Sequence, residues 1–315
     1  MQPLKKIVIY ALVRGYSNPL NYFPQIIRSI FIKIAFRKIK YDQLIFHEGN
    51  MSLWIQFLYK KIFNVNLVKV SSSYFVHKNN AYKDMCHFQI IGVYPYIKDY
   101  EYAIRIDEDI FISNQFDNDF FDNLRNNNID LCLYRMKIDK HKETVKYMPN
   151  FFSQEFNDNT LVEINMNHTG LFNFYNNFII YNVSKLYTKQ FFKNLDVIDK
   201  SEFIYKYRWG DSTILTALYL QDSLNDQKII SILSNPSIFH QSHHSLSSAK
   251  NNWHDYKPSN ISEFYKNFNF LYIKTKKSYF ALSSIFIIFL LDFLIRTLGI
   301  MKKYIFNKFN YAKKN

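Results

Sequence analysis

We expect the chain to fold as an α/β domain around a mostly parallel central sheet. Short apolar runs typical of buried strands alternate along the sequence with longer amphipathic segments typical of helices. The 315 residues are 48% hydrophobic, which is enough to bury a core of enzyme size. No repeat with a period of roughly 20 to 50 residues is evident. Alternation without repeats favours one α/β domain over a solenoid.

The predicted strands are rich in β-branched and aromatic residues and are bounded by polar stretches. They are Lys6–Val13, Gln43–His47, Asn66–Val70, Tyr102–Ile106, Ile129–Tyr134, Phe178–Tyr181 and Lys228–Leu233. The predicted helices have apolar residues spaced three and four apart. They are Phe23–Arg37, Ser52–Ile62, Tyr82–Val93, Val183–Asn194 and Asp211–Leu220.

Two polar segments without clear periodicity are predicted to be long loops. They are Asn150–Thr160 and Ser245–Asn260. Long loops of this kind often cover active sites. Neither segment is long enough to mark a domain boundary, so one catalytic domain plus a tail is the expected organisation.

The formal net charge is +14, which would suit nucleic acid, an anionic membrane surface or an anionic small ligand. Nearly half of this excess lies after residue 295, where no acid occurs and the basic residues are Arg296, Lys302, Lys303, Lys308, Lys313 and Lys314. No recognisable nucleic-acid-binding motif is present, so we predict no nucleic-acid partner. Cys86 and Cys132 have no CxxC or metal-type partner and are expected to be buried free thiols.

An acidic triplet, Asp107–Asp109, directly follows the predicted strand Tyr102–Ile106. Three carboxylates at the end of a buried strand repel one another and lose hydration, so a cation is expected to compensate them. Mg²⁺ or Mn²⁺ prefers such oxygen ligands and in turn bridges phosphate oxygens. A triplet alone also occurs by chance in surface loops. The metal interpretation therefore needs further residues.

Arg14 follows the first predicted strand, as the triplet follows another. Ligands of α/β folds collect at the carboxyl ends of strands. The fork of an arginine guanidinium fits phosphate oxygens well. We expect Arg14 to meet a nucleotide or phosphate at the same edge as the triplet, the alternative being a surface salt bridge.

Five segments follow one another in a fixed order around this triplet. They are Tyr82–Phe88 (Tyr-Lys-Asp-Met-Cys-His-Phe), Tyr94–Tyr102, Ile104–Ile110 (Ile-Arg-Ile-Asp-Glu-Asp-Ile), Tyr175–Ile180 (Tyr-Asn-Asn-Phe-Ile-Ile) and Tyr207–Ser212 (Tyr-Arg-Trp-Gly-Asp-Ser). In this order they resemble the fungal α-1,2-mannosyltransferases of glycosyltransferase family 15. The family's elements read Met-Cys-Arg-Phe, Tyr-Asp-Tyr, Arg-Val-Glu-Pro-Asp, Trp-Ser-Asn-Phe-Glu-Ile and Glu-Arg-Trp-Gly-Asp-Ala.

The resemblance extends from about Ile7 to about His244, because Tyr10–Arg14 and Tyr41–Phe46 also match in order. It implies a GT-A type glycosyltransferase, which is a Rossmann-like single catalytic domain with a mixed central sheet. It further implies retaining α-1,2 transfer of mannose from GDP-mannose to a glycan or glycoconjugate hydroxyl, with Mn²⁺ or Mg²⁺. A carboxylate-held metal would act as a Lewis acid on the leaving diphosphate.

The resemblance places Asp107 and Asp109 at the acidic positions of the family's metal motif. Glu108 stands where the family has proline, and we expect its side chain to point away on the alternate face. Arg105, in the preceding strand, is interpreted as a counter-charge to these carboxylates. The direct metal ligands are therefore predicted to be Asp107 and Asp109.

The family's metal site also includes a histidine. The candidates in this chain lie within Phe239–Ser245, and His240 fits best because it follows a strand and an apolar pair. His243 and His244 are the alternatives. Without the resemblance, these histidines would fit a solvated polar loop equally well.

Carried over residue by residue, the resemblance puts Asp211 at the acceptor hydroxyl as a base or hydrogen-bond acceptor. Trp209 would stack on a sugar face, and Arg208 would hold Asp211 or a phosphate. Arg14 and Asn177 complete the predicted donor-binding set. Asp211 also has an ordinary explanation, because Asp is a favoured N-cap of helices.

Two positions depart from the family. Ile179 replaces a glutamate considered as the nucleophile for double displacement, a role that needs a carboxylate. We therefore hypothesise transfer on one face, with the leaving diphosphate taking the acceptor proton. His87 replaces an arginine, so a different nucleotide-sugar donor stays an alternative. A third possibility is a catalytically degenerate, membrane-bound glycan-binding relative.

The C-terminal segment from Tyr279 to Ile300 is almost unbroken apolar sequence, about long enough to cross a bilayer. Asp292 and Arg296 interrupt it four residues apart and could pair on a helix. We predict a catalytic domain over residues 1–272 and an apolar, then basic tail over 273–315 that spans the membrane or lies on it. The alternative is a terminal helix docked on the core or on a second subunit.

No signal peptide is predicted, because the apolar run Ile7–Val13 is short and lacks a small-residue cleavage site. Since the apolar segment lies at the other end of the chain, we expect the catalytic domain of a membrane-associated protein to face the cytosol.

Overall fold

The computed structural model describes residues 5–13, 22–49, 51–70, 81–159, 161, 170–223, 228–234, 238–240, 268–273 and 275–277. Several predictions fall outside these ranges, among them those for Arg14, His243, His244, residues 245–260 and the tail beyond residue 277. The side chain of His240 is also outside the description, although its backbone is within it.

The strands are β1 (Lys5–Val13), β2 (Asp42–His47), β3 (Asn66–Lys69), β4 (Tyr100–Ile106), β5 (Ile110–Ile112), β6 (Asn114–Gln115), β7 (Leu131–Leu133), β8 (Met136–Asp139), β9 (Leu171–Phe174), β10 (Phe178–Asn182), β11 (Lys228–Leu233), β12 (Ile238–His240), β13 (Phe268–Ile273) and β14 (Lys276–Lys277). Eight of them form the central sheet in the order β13-β11-β7-β10-β4-β1-β2-β3. Within it β10 runs antiparallel to both neighbours, and the other pairs are parallel. The predicted mixed, mostly parallel sheet is confirmed.

The helices are α1 (Phe23–Ala35), α2 (Leu53–Lys61), α3 (Ala81–His87), α4 (Tyr94–Ile97), α5 (Asn118–Asn126), α6 (Lys142–Phe156), α7 (Val183–Leu186), α8 (Lys189–Lys200), α9 (Phe203–Lys206) and α10 (Asp211–Ser223), with a π-helical turn at Phe88–Gly92. The predicted helix Val183–Asn194 is two helices. Thr188 divides it, because its side chain accepts a hydrogen bond from the Phe191 N–H and starts a new helix.

The prediction of a loop at Asn150–Thr160 is wrong, because its first seven residues form the end of α6. Phe151 and Phe152 are buried there. The segment's polar residues masked a helical spacing of apolar side chains, which places this aromatic pair against the core. The helix ends at Asn157, whose φ of 54° is left-handed.

Apolar side chains cover both faces of the sheet. Along β10, Ile179 and Tyr181 belong to one cluster, whereas Phe178 and Ile180 belong to the cluster on the opposite face. Strands buried on both faces are expected in α/β folds and explain the nearly continuous apolar runs of the sequence. The sheet therefore forms a rigid platform whose edge positions the site.

The prediction of a membrane-associated protein whose catalytic domain faces the cytosol is corrected. None of the described helices is long and apolar enough to cross a membrane. The longest of them, α6, has 15 residues and so covers about 22 Å at 1.5 Å per residue, short of the roughly 30 Å of a bilayer core. The apolar segment 279–300 lies outside the residues that the structure describes.

The predicted boundary at residue 272 falls within paired strands. β13 pairs with β11 in the central sheet, and β14 pairs with β6. Strand pairing thus continues to Lys277, the last residue that the structure describes. The division into a catalytic domain and a tail stays a prediction.

Candidate active site

The candidate site lies at one edge of the central sheet, where β1 and β4 end side by side in parallel. Because β10 is antiparallel to β4, its first residue, Phe178, pairs with Ile106, the last residue of β4. The Asp107 N–H donates to the Asn177 carbonyl oxygen at 2.8 Å. The acidic triplet and the segment that precedes β10 are therefore held next to each other.

Arg105 joins two carboxylates that are far apart in sequence. Its Nε donates to Asp107 Oδ1 at 2.8 Å and its Nη2 to Asp107 Oδ2 at 3.2 Å, while its Nη1 donates to Asp211 Oδ2. The guanidinium is buried, since Arg105 is only 4% exposed. The interpretation of Arg105 as a counter-charge agrees with this geometry.

Asp211 is the first residue of α10 and is 5% exposed. Besides Arg105, its carboxylate accepts hydrogen bonds from Asn176 Nδ2 at 2.9 Å and from Cys86 Sγ at 3.5 Å. Burial alone would raise the pKa of Asp211, but Arg105 and Asn176 together hold it below its ordinary value. Asp211 therefore stays ionised and directs its charge into the site.

Asp107 and Asp109 form an acidic rim. The Asp107 side chain is 21% exposed. Burial raises the pKa of Asp107 to about 6, with Arg105 opposing the rise and Asp109 and Asp211 adding to it. A cation bound at this rim would relieve the repulsion and favour the ionised forms.

Glu108 occupies a different environment from its two neighbours. Its side chain is buried, and its charge acts on Tyr59, whereas the charges of Asp107 and Asp109 act on Tyr175. The backbone is tied to α1, where Gln25 Nε2 donates to the Glu108 carbonyl oxygen at 2.7 Å. Glu108 is thus separated from the rim.

Helix α1 also holds the main chain at Ile106 and Asp107 through a buried arginine. Arg28 Nη1 donates to the carbonyl oxygens of Ile106, at 3.0 Å, and Asp107, at 2.8 Å. The main chain of the rim is therefore fixed by bonds separate from those that Arg105 makes to the Asp107 carboxylate.

His240 is brought to the rim by β12. This strand pairs antiparallel with β5, and His240 is opposite Ile110, the residue after Asp109. Among the described residues no group of three His, Cys, Asp or Glu side chains forms a metal site. The chemistry of the rim fits Mn²⁺ or Mg²⁺ nevertheless, because two repelling carboxylates lie together and the strand that carries His240 passes beside them.

The interpretation of Trp209 as a sugar-stacking residue is corrected. Its side chain is fully buried, at 0% exposure, with Phe151 and Phe203 packed edge-on at centroid distances of 5.3 and 5.1 Å. An indole without an exposed face cannot stack on a ligand. Trp209 instead anchors the start of α10 and so places Asp211.

The ion-pair partner of Asp211 is Arg105 rather than Arg208. The Arg208 guanidinium lies 4.6 Å from the centroid of the Tyr82 ring, and Arg208 has a left-handed φ of 55°. Tyr82 is 46% exposed, and a Cβ at Gly210 would lie 3.2 Å from its hydroxyl oxygen. Tyr82 is therefore an exposed aromatic ring at this side of the site among the described residues.

Ile179 lies directly behind the ion pairs. It pairs with Arg105 across β10 and β4, and its side chain is buried among apolar neighbours. Beside it the Tyr10 and Tyr181 hydroxyls share a hydrogen bond of 2.9 Å, and burial raises the pKa of Tyr10 to about 12. This floor of the site contains no carboxylate at the position where the family has glutamate.

Sequence reasoning missed three side chains near the rim. Asn176 donates a hydrogen bond to Asp211, and the predicted donor contact of Asn177 stays a prediction. Arg135 and Lys137 lie over the ring of Tyr175, with charge-to-centroid distances of 5.5 and 4.9 Å. The alternating Arg-Met-Lys pattern after a buried strand was the available signal.

Comparisons with known proteins show the fold. No protein-family model matches the sequence, and no curated protein matches it. The structure is similar to the mannosyltransferase Ktr4p from S. cerevisiae, with a TM-score of 0.59 and 17% identity over 75% of this chain and 70% of that chain. The structure is also similar to Ktr4p in complex with GDP, with a TM-score of 0.55 and 17% identity over 69% of this chain and 67% of that chain.

Core-mannan synthase A (CmsA/Ktr4) from Aspergillus fumigatus, in its Mn/GDP form, gives a TM-score of 0.58 and 14% identity over 75% of this chain and 74% of that chain. The structural neighbours are thus fungal mannosyltransferases, as the ordered motifs predicted. At these identities the similarity establishes a GT-A type glycosyltransferase fold.

Proposed function

We propose that the chain is a metal-dependent hexosyltransferase that transfers mannose from GDP-mannose to a glycan hydroxyl, retaining the α configuration and forming an α-1,2 linkage. The observation that carries the proposal is the ion-paired group of Arg105, Asp107 and Asp211 at one edge of the sheet. The neighbours solved with GDP, one of them with Mn, support the donor and the metal. The linkage rests on the sequence resemblance.

The acidic rim would hold the divalent ion through Asp107 and Asp109, with His240 as the third ligand. When bound, Mn²⁺ or Mg²⁺ supplies a Lewis acid for the charge that grows on the leaving diphosphate. Arg105 keeps the Asp107 carboxylate oriented from behind by two hydrogen bonds. Its role is to position the ligand rather than to contact the donor.

Asp211 accepts a hydrogen bond from the attacking acceptor hydroxyl. A carboxylate with a lowered pKa is a weak proton acceptor, so it orients the hydroxyl and a diphosphate oxygen receives the proton. The bond from the anomeric carbon to that diphosphate breaks while the bond to the acceptor oxygen forms on the same face. Retention then needs no carboxylate at Ile179.

The remaining donor contacts stay proposals. Arg14 follows β1, whose end lies beside the end of β4, and would reach the phosphates. Asn177 would contact the donor from the start of β10. Arg208 is exposed beside Tyr82, which fits a contact with the acceptor glycan or an outer phosphate.

A different nucleotide-sugar donor on the same fold is the second candidate. The observation that favours it is His87, which stands where the family has arginine and whose Nε2 lies 2.8 Å from Asp199 Oδ1. A catalytically degenerate glycan-binding relative is the third, favoured by Ile179. Both share the rim and the Arg105 ion pairs.

Turnover of a panel of GDP- and UDP-sugars, with Mn²⁺ and with EDTA, tests the proposal. We expect the wild type to release nucleoside diphosphate from GDP-mannose only with the metal. Asp211→Asn should lose this activity, and Asp196→Asn, an exposed pair partner on α8, should keep it. Turnover of another sugar nucleotide alone would establish the second candidate, and binding without turnover the third.

A further inference from the structure

Arg135 and Lys137 place two positive charges around one aromatic ring. The Lys137 Nζ lies 4.9 Å and the Arg135 Cζ 5.5 Å from the centroid of the Tyr175 ring. Arg135 and Lys137 are two residues apart at the start of β8, so their side chains lie on the same face. The Tyr175 N–H donates to the Arg135 carbonyl oxygen at 3.1 Å, which fixes the strand that carries the cations to the segment that carries the ring.

This cation pair, Arg135 and Lys137, is within electrostatic range of both the acidic rim and Asp211. The charges of Asp109 and Asp107 act on Tyr175, together with that of Arg135. The charges of Asp211 and Asp139 act on Lys137. The pair therefore borders the space in which a ligand of the rim would lie.

Lys137 is held in an environment that opposes its charge. Burial lowers the pKa of Lys137, although Asp211 and Asp139 raise it. An ammonium group has three donors and is strongly hydrated in water, so an anion that replaces lost water would stabilise it.

The site holds charges of both signs before any ligand is considered. The carboxylates are Asp107, Asp109, Asp139 and Asp211, and the cations are Arg105, Arg135 and Lys137. A divalent ion and the two ionised phosphates of a sugar nucleotide add equal and opposite charge. When the sugar leaves, the diphosphate gains a further negative charge, and fixed cations beside it stabilise that change.

We propose that Lys137 and Arg135 clamp the donor diphosphate beside the acidic rim. This inference rests on the proposed function and names residues of this chain that the sequence motifs do not contain. Lysine acts as a point charge on a phosphate oxygen, and the arginine fork bonds two oxygens. Tyr175 keeps both side chains from collapsing onto the rim.

Calorimetric titration with GDP, GMP, guanosine and pyrophosphate, with Mn²⁺ and with EDTA, tests the clamp. Lys137→Met and Arg135→Met keep the side-chain stems and remove the charge, and Lys140→Met, an exposed lysine near the end of β8, is the matched control. We expect each clamp variant to bind GDP about 10- to 100-fold more weakly, the range for a lost charge-assisted hydrogen bond. Guanosine binding should be unchanged.

The outcomes separate the two proposals. If the wild type binds GDP no more tightly with Mn²⁺ than with EDTA, the proposed function fails. If the wild type binds GDP and both clamp variants match it, the clamp is wrong and the function stands. Melting temperatures report folding, and Lys137→Arg should retain binding. If one methionine variant does not fold, GDP binding by the other variant tests the clamp. A wild type that binds no pyrophosphate in EDTA would contradict the clamp.

Discussion

The triplet Asp107–Asp109 and the segment Arg208–Asp211 are held in different ways, although both carry acids of the site. The triplet is fixed through its main chain, by bonds from Arg28 and Gln25 of α1, and Asp107 and Asp109 form the acidic rim. The other segment is held by side chains, namely the buried Trp209 and the ion pair of Asp211 with Arg105. We therefore expect substitutions of the rim acids to change activity with little loss of stability, whereas substitutions in Arg208–Asp211 should affect both stability and activity.

Trp209→Ala is expected to have the largest effect. Removing a fully buried indole that packs on Phe151 and Phe203 should lower the free energy of unfolding by about 3–5 kcal/mol. Denaturant unfolding measures it. Trp209→Phe, which keeps an aromatic ring, should lose clearly less, and a Trp209→Ala variant as stable as the wild type would show that the segment is held otherwise.

Asp211→Asn is expected next, and its effect should fall on activity. Asparagine keeps one hydrogen-bonding oxygen for Arg105 and Asn176 but lacks the charge that orients the acceptor hydroxyl. We expect kcat to fall about 10²- to 10⁴-fold, with a smaller loss of stability than in Trp209→Ala, because the buried Arg105 loses Asp211 but keeps Asp107 as an ionised partner. Steady-state kinetics with the donor found by the panel provide the test, and an unchanged kcat would remove Asp211 from the mechanism.

Arg208→Met should have the smallest effect on stability. Its guanidinium rests on the exposed ring of Tyr82, and exposed cation–π contacts contribute only about 0.5–1 kcal/mol. Denaturant unfolding of Arg208→Met, Tyr82→Leu and the double variant measures the coupling. A loss as large as that of Trp209→Ala would contradict the contrast within this segment.

The sheet could be predicted from the sequence because strands buried on both faces read as apolar runs. The small pairings of β5 with β12 and β6 with β14 could not, since two- and three-residue strands carry no periodicity. Helix α6 was missed because its polar residues hid Phe151 and Phe152.

In the site, Asp107, Asp109 and Asp211 were found because acids at motif positions are visible in sequence. The burial of Trp209 was not visible, because a motif does not show which residues face the core. Lys137 and Arg135 were missed because only the pairing of β8 with β9 brings them to Tyr175. Proximity of that kind is tertiary and leaves little trace along the chain.

The central claim is that the acidic rim holds a divalent ion for a nucleoside diphosphate. Electron paramagnetic resonance of Mn²⁺ titrated into the protein, with and without GDP, measures it directly. We predict that GDP tightens Mn²⁺ binding at least tenfold in the wild type and in Asp211→Asn, and that Asp107→Asn abolishes this gain. Equal Mn²⁺ binding by the wild type and Asp107→Asn in the presence of GDP would contradict the account.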